Sequence, residues 1–544
     1  MLGDINSFLN VLESFGDKVA LSHREHGEWK EISYQNLVKS SKEYASYLIS
    51  DGVKSGSKIA IVSDSNYYYL ISIFGSFLAG CTCVPVDVKL SINEMISILG
   101  HAEIDRIDYS DSYEKVCINI SNEFDHEIII RNISSPIKES DFANIVRKDF
   151  LDYKIPALLV YTSGTTSKPK GVMISWDNLF FEINAIKKTT NFQNENLLSI
   201  LPLNHMFELS GGVLSGLYIG STIYFANTYL AQELLSMFKQ KRITIMLVVP
   251  LVLELFHKSI LKRVEKLTTI EQTIFKFTVL FSKFLPSFFK SIVFSKVHDV
   301  FGNDFRGFIS GGSKLNMKSY DFFKSLGYDC FQGYGLTETS PVVCMNGPKS
   351  NKRGTIGKPL DGVEVKISKS NNSEGVLYVK GPNVMMGYYK DVSQTQKVID
   401  KDGWFNTGDI AKIDKDGFIE ITGREKDLIV LDGGKKVYPE EIEQLFLLED
   451  KLEEVCVTSI KRLENGVLRE KVGALIIPSE HMLQAFKCEE KLKIEVTKIF
   501  NDYKNSVASY KWPSYILVDT KELEKTTTKK IKRNIVKERI LNFI

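Results

Sequence analysis

Short apolar runs without polar alternation recur along the chain, and they constrain the fold more than any other feature. Lys58-Ile59-Ala60-Ile61-Val62 is a β-type run, followed by an apolar helical stretch near 69–78 and a second run at 82–86. Strand, helix and strand in that order point to a parallel sheet. The pattern returns at 157–161, 197–201, 221–225 and 243–249. Unalternated runs of this length suit strands covered on both faces. The expected class is α/β, with a large N-terminal domain of parallel-rich sheets.

The pattern changes near residue 355. Short strands at 363–367 and 375–379 read as an antiparallel or barrel-like meander, a subdomain of about 355–422. Gly423-Arg424-Glu425-Lys426-Asp427 is a charged turn after a strand at 418–421. Beyond it a helix is expected over 439–446, and strands at 453–460 and 472–477 alternate with helical stretches. The division is an N-terminal domain 1–424, a hinge at 425–427 and a small, mobile α+β domain at 428–544. No internal repeat at solenoid periods is present.

Charge and cysteine content exclude several classes. The net charge of +2 over 544 residues gives no bulk attraction to nucleic acid. Fourteen prolines and 36 glycines are too few for a fibrous or low-complexity chain. Seven cysteines, an odd number without zinc spacing, read as small buried thiols of a reduced compartment. Met1-Leu2-Gly3-Asp4 has no basic n-region before an apolar stretch. Residues 70–84 and 209–232 lack charge but are broken by Gly, Ser, Thr or Asn, so they read as buried core. A soluble, cytoplasmic protein is expected.

The strongest local signal is Tyr161-Thr162-Ser163-Gly164-Thr165-Thr166-Ser167-Lys168-Pro169-Lys170-Gly171, directly after an apolar strand. Hydroxyls and backbone N–H groups in a small-residue loop can wrap phosphate oxygens, and two lysines add positive charge. A Walker A loop is excluded, because Lys170-Gly171 runs into the strand-like Val172-Met173-Ile174 instead of opening a helix. A plain Ser/Thr-rich surface turn is the competing reading.

This segment resembles the phosphate-binding signature of the AMP-forming, adenylate-forming enzymes: acyl-CoA synthetases, luciferases and the adenylation domains of peptide synthetases. The likeness continues in family order. Pro202-Leu203-Asn204-His205-Met206-Phe207-Glu208 looks like the next motif, and Ser310-Gly311-Gly312-Ser313-Lys314-Leu315 resembles the adenine-side turn. Gln332-Gly333-Tyr334-Gly335-Leu336-Thr337-Glu338-Thr339 matches the adenylate-binding motif. Trp404-Phe405-Asn406-Thr407-Gly408-Asp409 and the turn at 423–427 match the ribose motif and the hinge. The tail 523–533 resembles the segment carrying the catalytic lysine, at Lys530.

The resemblance implies ATP, Mg²⁺ and CoA as co-substrate, and it assigns roles that the residue types suit. Asp409 can accept two hydrogen bonds from vicinal ribose hydroxyls. Tyr334 offers a face for adenine stacking. Glu338 is a hard oxygen ligand for Mg²⁺, which Thr162 shares by resemblance. Arg424 meets ribose or phosphate oxygens, and Lys426 is the pivot. Lys530 would bridge the substrate carboxylate and the α-phosphate. Taken alone, each has an ordinary structural alternative: turn acid, core tyrosine, surface arginine, solvated basic tail. Ser167, Glu524 and Lys529 depart from the family's usual Gly, Pro and Gly, and two adjacent lysines weaken the assignment of Lys530.

For the substrate, Asn204-His205-Met206-Phe207-Glu208 resembles long-chain fatty acyl members more than amino-acid-activating ones, with His205 near the acyl pocket. Gly433-Gly434 and Pro439 with 440–443 resemble the thioester side of acyl-CoA synthetases. The expected activity is AMP-forming ligation of a medium or long-chain fatty acid to CoA. The alternatives are ligation to an acyl carrier protein, an aryl-acid CoA ligase, and a catalytically silent nucleotide or acyl-adenylate binder. In 268–296, Phe277, Phe281, Phe284 and Phe288 form one helical stripe, and Lys276, Lys283 and Lys290 another. Such a stretch either packs into a core or makes a peripheral contact with the inner membrane face.

Overall fold

The computed structural model describes every residue except 1–3, 138–154, 163–168, 229, 283–293, 369–373, 432–434, 448, 465–466, 487, 526–530 and 544, and the side chains of 231, 296, 464, 467 and 468. The chain forms two compact units. The first comprises Met1–Lys366, Tyr378–Asn406 and Asp416–Phe418. The second comprises Ile367–Leu377, Thr407–Lys415 and Ile419–Ile544.

Two large sheets build the first unit. The nine-stranded sheet runs Lys358–Pro359, Val342–Met345, Asp329–Gly335, Gly307–Ser310, Ile245–Val248, Asn196–Ser199, Thr222–Phe225, Val19–Glu25, Glu28–Ser33. Its central pairs are parallel and both its edges antiparallel. The seven-stranded sheet runs Gly387–Tyr388, Lys170–Ile174, Leu158–Thr162, Thr82–Pro85, Lys58–Val62, Arg106–Tyr109, Ile129–Asn132. Lys58–Val62, the helix Tyr67–Leu78 and Thr82–Pro85 form the parallel crossover expected from sequence.

Central strands such as Ile245–Val248 read as unbroken apolar sequence because both of their faces are dry. Successive side chains point to opposite faces, and here the two faces feed different cores. Leu197 and Ile245 enter a core built with the helices Ile5–Glu13, Tyr67–Leu78 and Trp176–Thr190. Leu198, Met246 and Val248 enter a second core, lined by Phe238, Phe256, Phe301, Phe305, Phe308 and Phe323. In the other sheet Ile61 and Leu158 join the first core, while Ala60, Val62 and Leu159 face a third.

The second unit holds most of a four-stranded sheet, Glu364–Ile367, Glu374–Lys380, Phe405–Ile413 and Ile419–Arg424. It also holds a long antiparallel hairpin, Leu452–Glu464 with Val467–Pro478, to which Tyr515–Val518 adds in parallel. The sequence reading separated these hairpin strands by a helical stretch; cross-strand pairing over their whole length corrects it. The helix expected over 439–446 is shorter, Pro439–Glu443. The helix Arg533–Phe543 closes one face through Val536 and Ile540.

The uncharged stretches 70–84 and 209–232 supply buried helix and strand, and among the described residues no helix is long and apolar enough to cross a membrane. Six cysteines are buried thiols, while Cys488 is exposed. Of the stretch 268–296, Thr269–Phe281 is a helix. Lys283, Phe284, Phe288 and Lys290 lie outside the described residues.

Candidate nucleotide-binding site

The loop with the strongest sequence signal is the connection of a hairpin. Leu158–Thr162 pairs antiparallel with Lys170–Ile174, and Thr162 stands opposite Lys170. Ser163, Gly164, Thr165 and Thr166 lie outside the described residues, so the structure gives the mouth of the loop. At that mouth the Lys170 ammonium stands over the Tyr388 ring, 5.7 Å from its centroid. Tyr161, one residue before Thr162, has its hydroxyl 2.8 Å from Nδ1 of His101.

Gln332, Gly333, Tyr334 and Gly335 form the end of the strand Asp329–Gly335. Gln332 is buried and pairs with Ser310, whose strand runs into Gly311, Gly312 and Ser313. The turn at 310–315 and the segment 332–339 are therefore neighbours through adjacent parallel strands. Gly312 has φ +85°, a left-handed conformation open to glycine at little cost. Gly335 is required for a different reason: a Cβ there would lie 1.6 Å from the Pro341 carbonyl oxygen.

Thr337 and Glu338 follow in a single 3₁₀ turn, Thr337–Thr339. The Glu338 carbonyl accepts from the Met385 N–H at 2.9 Å, and Oε1 of Glu338 accepts from the Tyr388 hydroxyl at 2.9 Å. Burial first, and then the Glu338 carboxylate, push the Tyr388 phenol well above its ordinary range. Lys170 and Glu338, assigned separately from sequence, thus contact the same tyrosine, one over its ring and one at its hydroxyl. Sequence reasoning missed Tyr388; Gly387-Tyr388-Tyr389 carries no spacing signal that would have singled it out.

His205 opens the helix that follows it. Its carbonyl accepts from the Glu208 and Leu209 N–H groups, and Phe207–Leu214 is wound as a π-helix, a form often found at functional sites. A Cβ on Gly311 would come within 3.0 Å of the Phe207 ring, so this motif also lies against the adenine-side turn. Glu208 and Glu182 are buried on separate helices. Burial pushes the Glu208 carboxyl up to about 8 and the Glu182 carboxyl well above its ordinary value.

In the second unit, Asp409 and Arg424 are direct partners across antiparallel strands. Lys426 is exposed in the turn Glu425–Asp427. Lys530 lies outside the described residues. The stems on either side of it are tied together by the Lys525–Ile531 bridge and by the Lys532 N–H on the Glu524 carbonyl at 2.8 Å.

Among the described residues no group of three His, Cys, Asp or Glu could cage a metal ion. A single half-exposed carboxylate, Glu338, suits Mg²⁺, which commonly keeps its waters and takes one or two carboxylates together with substrate phosphates. The donor set fits that ion.

Comparison with known proteins places the chain in a family. The chain is 28% identical to the chloroplastic long-chain-fatty-acid–[acyl-carrier-protein] ligase AEE15 of Arabidopsis thaliana, across 96% of this chain and 84% of that protein. It is 28% identical to the long-chain-fatty-acid–CoA ligase FadD15 of Mycobacterium bovis, across 85% of this chain and 79% of that one. The o-succinylbenzoate CoA synthetase MenE of Bacillus subtilis, solved with its acyl-adenylate intermediate, shares the fold at a TM-score of 0.77 and 23% identity, with 97% of each chain covered. The family described as AMP-binding enzyme matches residues 8–389. The chain belongs to that family of AMP-binding enzymes.

Proposed function

We propose that the chain is an ATP-dependent, AMP-forming ligase that activates a medium or long-chain fatty acid and passes the acyl group to CoA. The observation that carries this is at the mouth of the loop 163–168, where Lys170 over the Tyr388 ring and Glu338 at its hydroxyl are brought to one tyrosine. A cation and a hard oxygen ligand at one loop suit a triphosphate and its divalent ion. The fatty acid is supported by the similarity to long-chain-fatty-acid ligases and by the Asn204–Glu208 motif.

In the first step the fatty acid carboxylate attacks the α-phosphorus of ATP, giving acyl-AMP and pyrophosphate. A thiolate then attacks the acyl carbon, giving the thioester and AMP. Glu338 and Thr162 would hold Mg²⁺, which when bound neutralises charge on the phosphate oxygens. Ser163, Gly164, Thr165, Thr166 and Lys170 take the phosphates. Gly312, Ser313, Gln332, Gly333, Tyr334, Gly335 and Thr337 frame the adenine, and Asp409 and Arg424 take the ribose. Lys530 offsets the repulsion between carboxylate and α-phosphate, His205 borders the acyl chain, and Lys426 lies at the hinge between 1–424 and 428–544. We place the enzyme in the cytoplasm, in lipid metabolism.

Transfer to an acyl carrier protein is the second reading, favoured by the name of one relative. A further reading concerns a lipid surface. On the helix Thr269–Phe281, Phe275 and Thr278 are buried while Ile270, Ile274, Phe277 and Phe281 are exposed on the other side. Eight Lys and Arg against four Asp and Glu between 251 and 300 give this region a positive balance, which suits an anionic bilayer. Equal binding to anionic vesicles by wild type and an Ile274→Ser/Phe277→Ser variant removes this reading.

The test of function is mass spectrometry of reactions with ATP–Mg²⁺ and a panel of carboxylic acids, with and without CoA. Long-chain acyl-CoA is the expected product. Acyl-AMP that accumulates despite CoA moves the acceptor to a carrier protein, and no adenylate from any acid overturns the proposal.

A further inference from the structure

We propose that Tyr388 is the positioning residue that presents the Glu338 carboxylate to the divalent ion of ATP. This inference rests on the reading of Glu338 as a Mg²⁺ ligand.

A carboxylate on a short turn is free to rotate about its side-chain bonds. Glu338 lies in the single turn Thr337–Thr339, which by itself fixes only the backbone. The Tyr388 hydroxyl supplies the missing restraint by donating to Oε1 at 2.9 Å. A hydrogen bond to an ionised acceptor is stronger and more directional than a neutral one. With Oε1 so engaged, the carboxylate is held in one orientation with Oε2 left to face a cation.

The donor is itself immobilised. Tyr388 is buried to 8% exposure and belongs to the core of the first unit. Its N–H donates to Thr395 Oγ1 at 2.9 Å, and its backbone pairs with Val172 in the strand that leaves the phosphate loop. The segment is laced on both sides: the Met385 N–H reaches the Glu338 carbonyl at 2.9 Å, and the Tyr389 N–H reaches the Gly171 carbonyl at 2.8 Å. Tyr388 is thus fixed to the turn that carries Glu338 and to the strand that carries Lys170. Partners of this kind behind a metal ligand are typically worth about 10–100-fold in metal affinity.

The test is Mn²⁺ binding in the presence of ATP, followed by electron paramagnetic resonance, together with the KM for metal–ATP. Tyr388→Phe keeps the ring under Lys170 and removes only the hydroxyl. It is expected to weaken Mn²⁺ binding by about 10-fold or more and to raise KM for metal–ATP, with the thermal midpoint near that of wild type. Glu338→Gln is expected to weaken Mn²⁺ binding further, and adding Tyr388→Phe to Glu338→Gln should change nothing more. If Tyr388→Phe binds Mn²⁺ like wild type, or weakens binding equally in the Glu338→Gln background, the positioning role is overturned while Glu338 stands. If Glu338→Gln binds Mn²⁺ like wild type, the metal reading falls, and the role of Tyr388 with it.

Discussion

Nε of Arg424 lies 3.0 Å from Oδ1 of Asp409, and the two residues face each other across an antiparallel strand pair. The Asp409 side chain is 3% exposed and that of Arg424 37%. The Asp409 N–H is also taken, by Thr407 Oγ1 at 3.0 Å. Truncating Arg424 would take a close ionic contact from a buried carboxylate, and breaking a pair whose acid is buried is more costly than the pair is worth. Arg424→Ala is expected to cost about 2–3 kcal/mol, read as a shift in the urea midpoint. Arg424→Lys, which keeps the charge and loses the planar fork, should recover part of the stability and still raise the KM for ATP. A stability change within error for Arg424→Ala would refute the coupling.

Gly312 and Gly335, which border the proposed adenine site, should respond unequally to alanine. Gly312 needs a left-handed backbone but has room, with its nearest neighbour, Val249 Cγ1, at 3.7 Å; Gly312→Ala should cost roughly 1 kcal/mol. At Gly335 the added carbon would sit on the Pro341 carbonyl. Backbone there has to move, and Gly335→Ala should cost about 3 kcal/mol or more and weaken nucleotide binding. Differential scanning calorimetry of the two variants ranks them; a smaller loss for Gly335→Ala is the contrary outcome.

Glu208 makes stability depend on pH. Its carboxyl titrates near 8 in the folded protein because burial disfavours the charge, against 4.5 when exposed. Between these values the folded state holds a proton that the unfolded state has released, so the contribution of Glu208 to stability is fully present below about 4.5 and is lost as pH rises to about 8. Glu208→Gln has no proton to release. The difference in unfolding free energy between variant and wild type should therefore grow in the variant's favour across this window. Parallel pH profiles from urea titrations would show that Glu208 is not the group responsible.

Arg533 holds the start of the C-terminal helix. Nη1 contacts Glu443 and donates to the Val457 carbonyl at 2.7 Å, Nη2 donates to Glu443 Oε2 at 2.8 Å, and Glu440 lies at 3.4 Å. A lysine supplies one point charge where this site uses a fork. Arg533→Lys is expected to lose about 2–3 kcal/mol and to raise hydrogen exchange in Arg533–Phe543 and Pro439–Glu443. Unchanged exchange in both helices would show that the fork is dispensable.

The strands at 58–62, 82–86, 157–161, 197–201, 221–225 and 243–249 were legible because each is a short apolar run, whereas Val19–Glu25, Arg106–Tyr109 and Asp329–Gly335, which carry charged or polar residues, were not read from sequence. The hairpin Leu452–Glu464 with Val467–Pro478 was only half legible. Its outer residues, Lys461, Arg462, Arg469 and Lys471, are polar, and that polarity hid strand pairing that depends on the partner strand. Asp409 and Arg424 were each visible in their motifs, but their mutual contact depends on register between strands, which no local spacing encodes. Tyr388 was invisible for a related reason: its meaning comes from Glu338, fifty residues away in sequence.

The two-sided burial of the central strands bears on how the chain avoids folding wrongly. In a sheet with one wet face, a strand that slides by one residue throws its apolar side chains into water, and the error is penalised at once. Ile245–Val248 has no such alarm, since every one of its residues is buried whichever way it faces. A slipped strand there stays dry. What changes is volume, because Met246 and Val248 meet a phenylalanine-rich core and Ile245 meets a different one. The error is therefore sensed by fit and not by wetting, at the stage when rings such as Phe238, Phe301 and Phe308 lock against one another. In this sheet the aromatic layer serves as the proofreader of strand alignment.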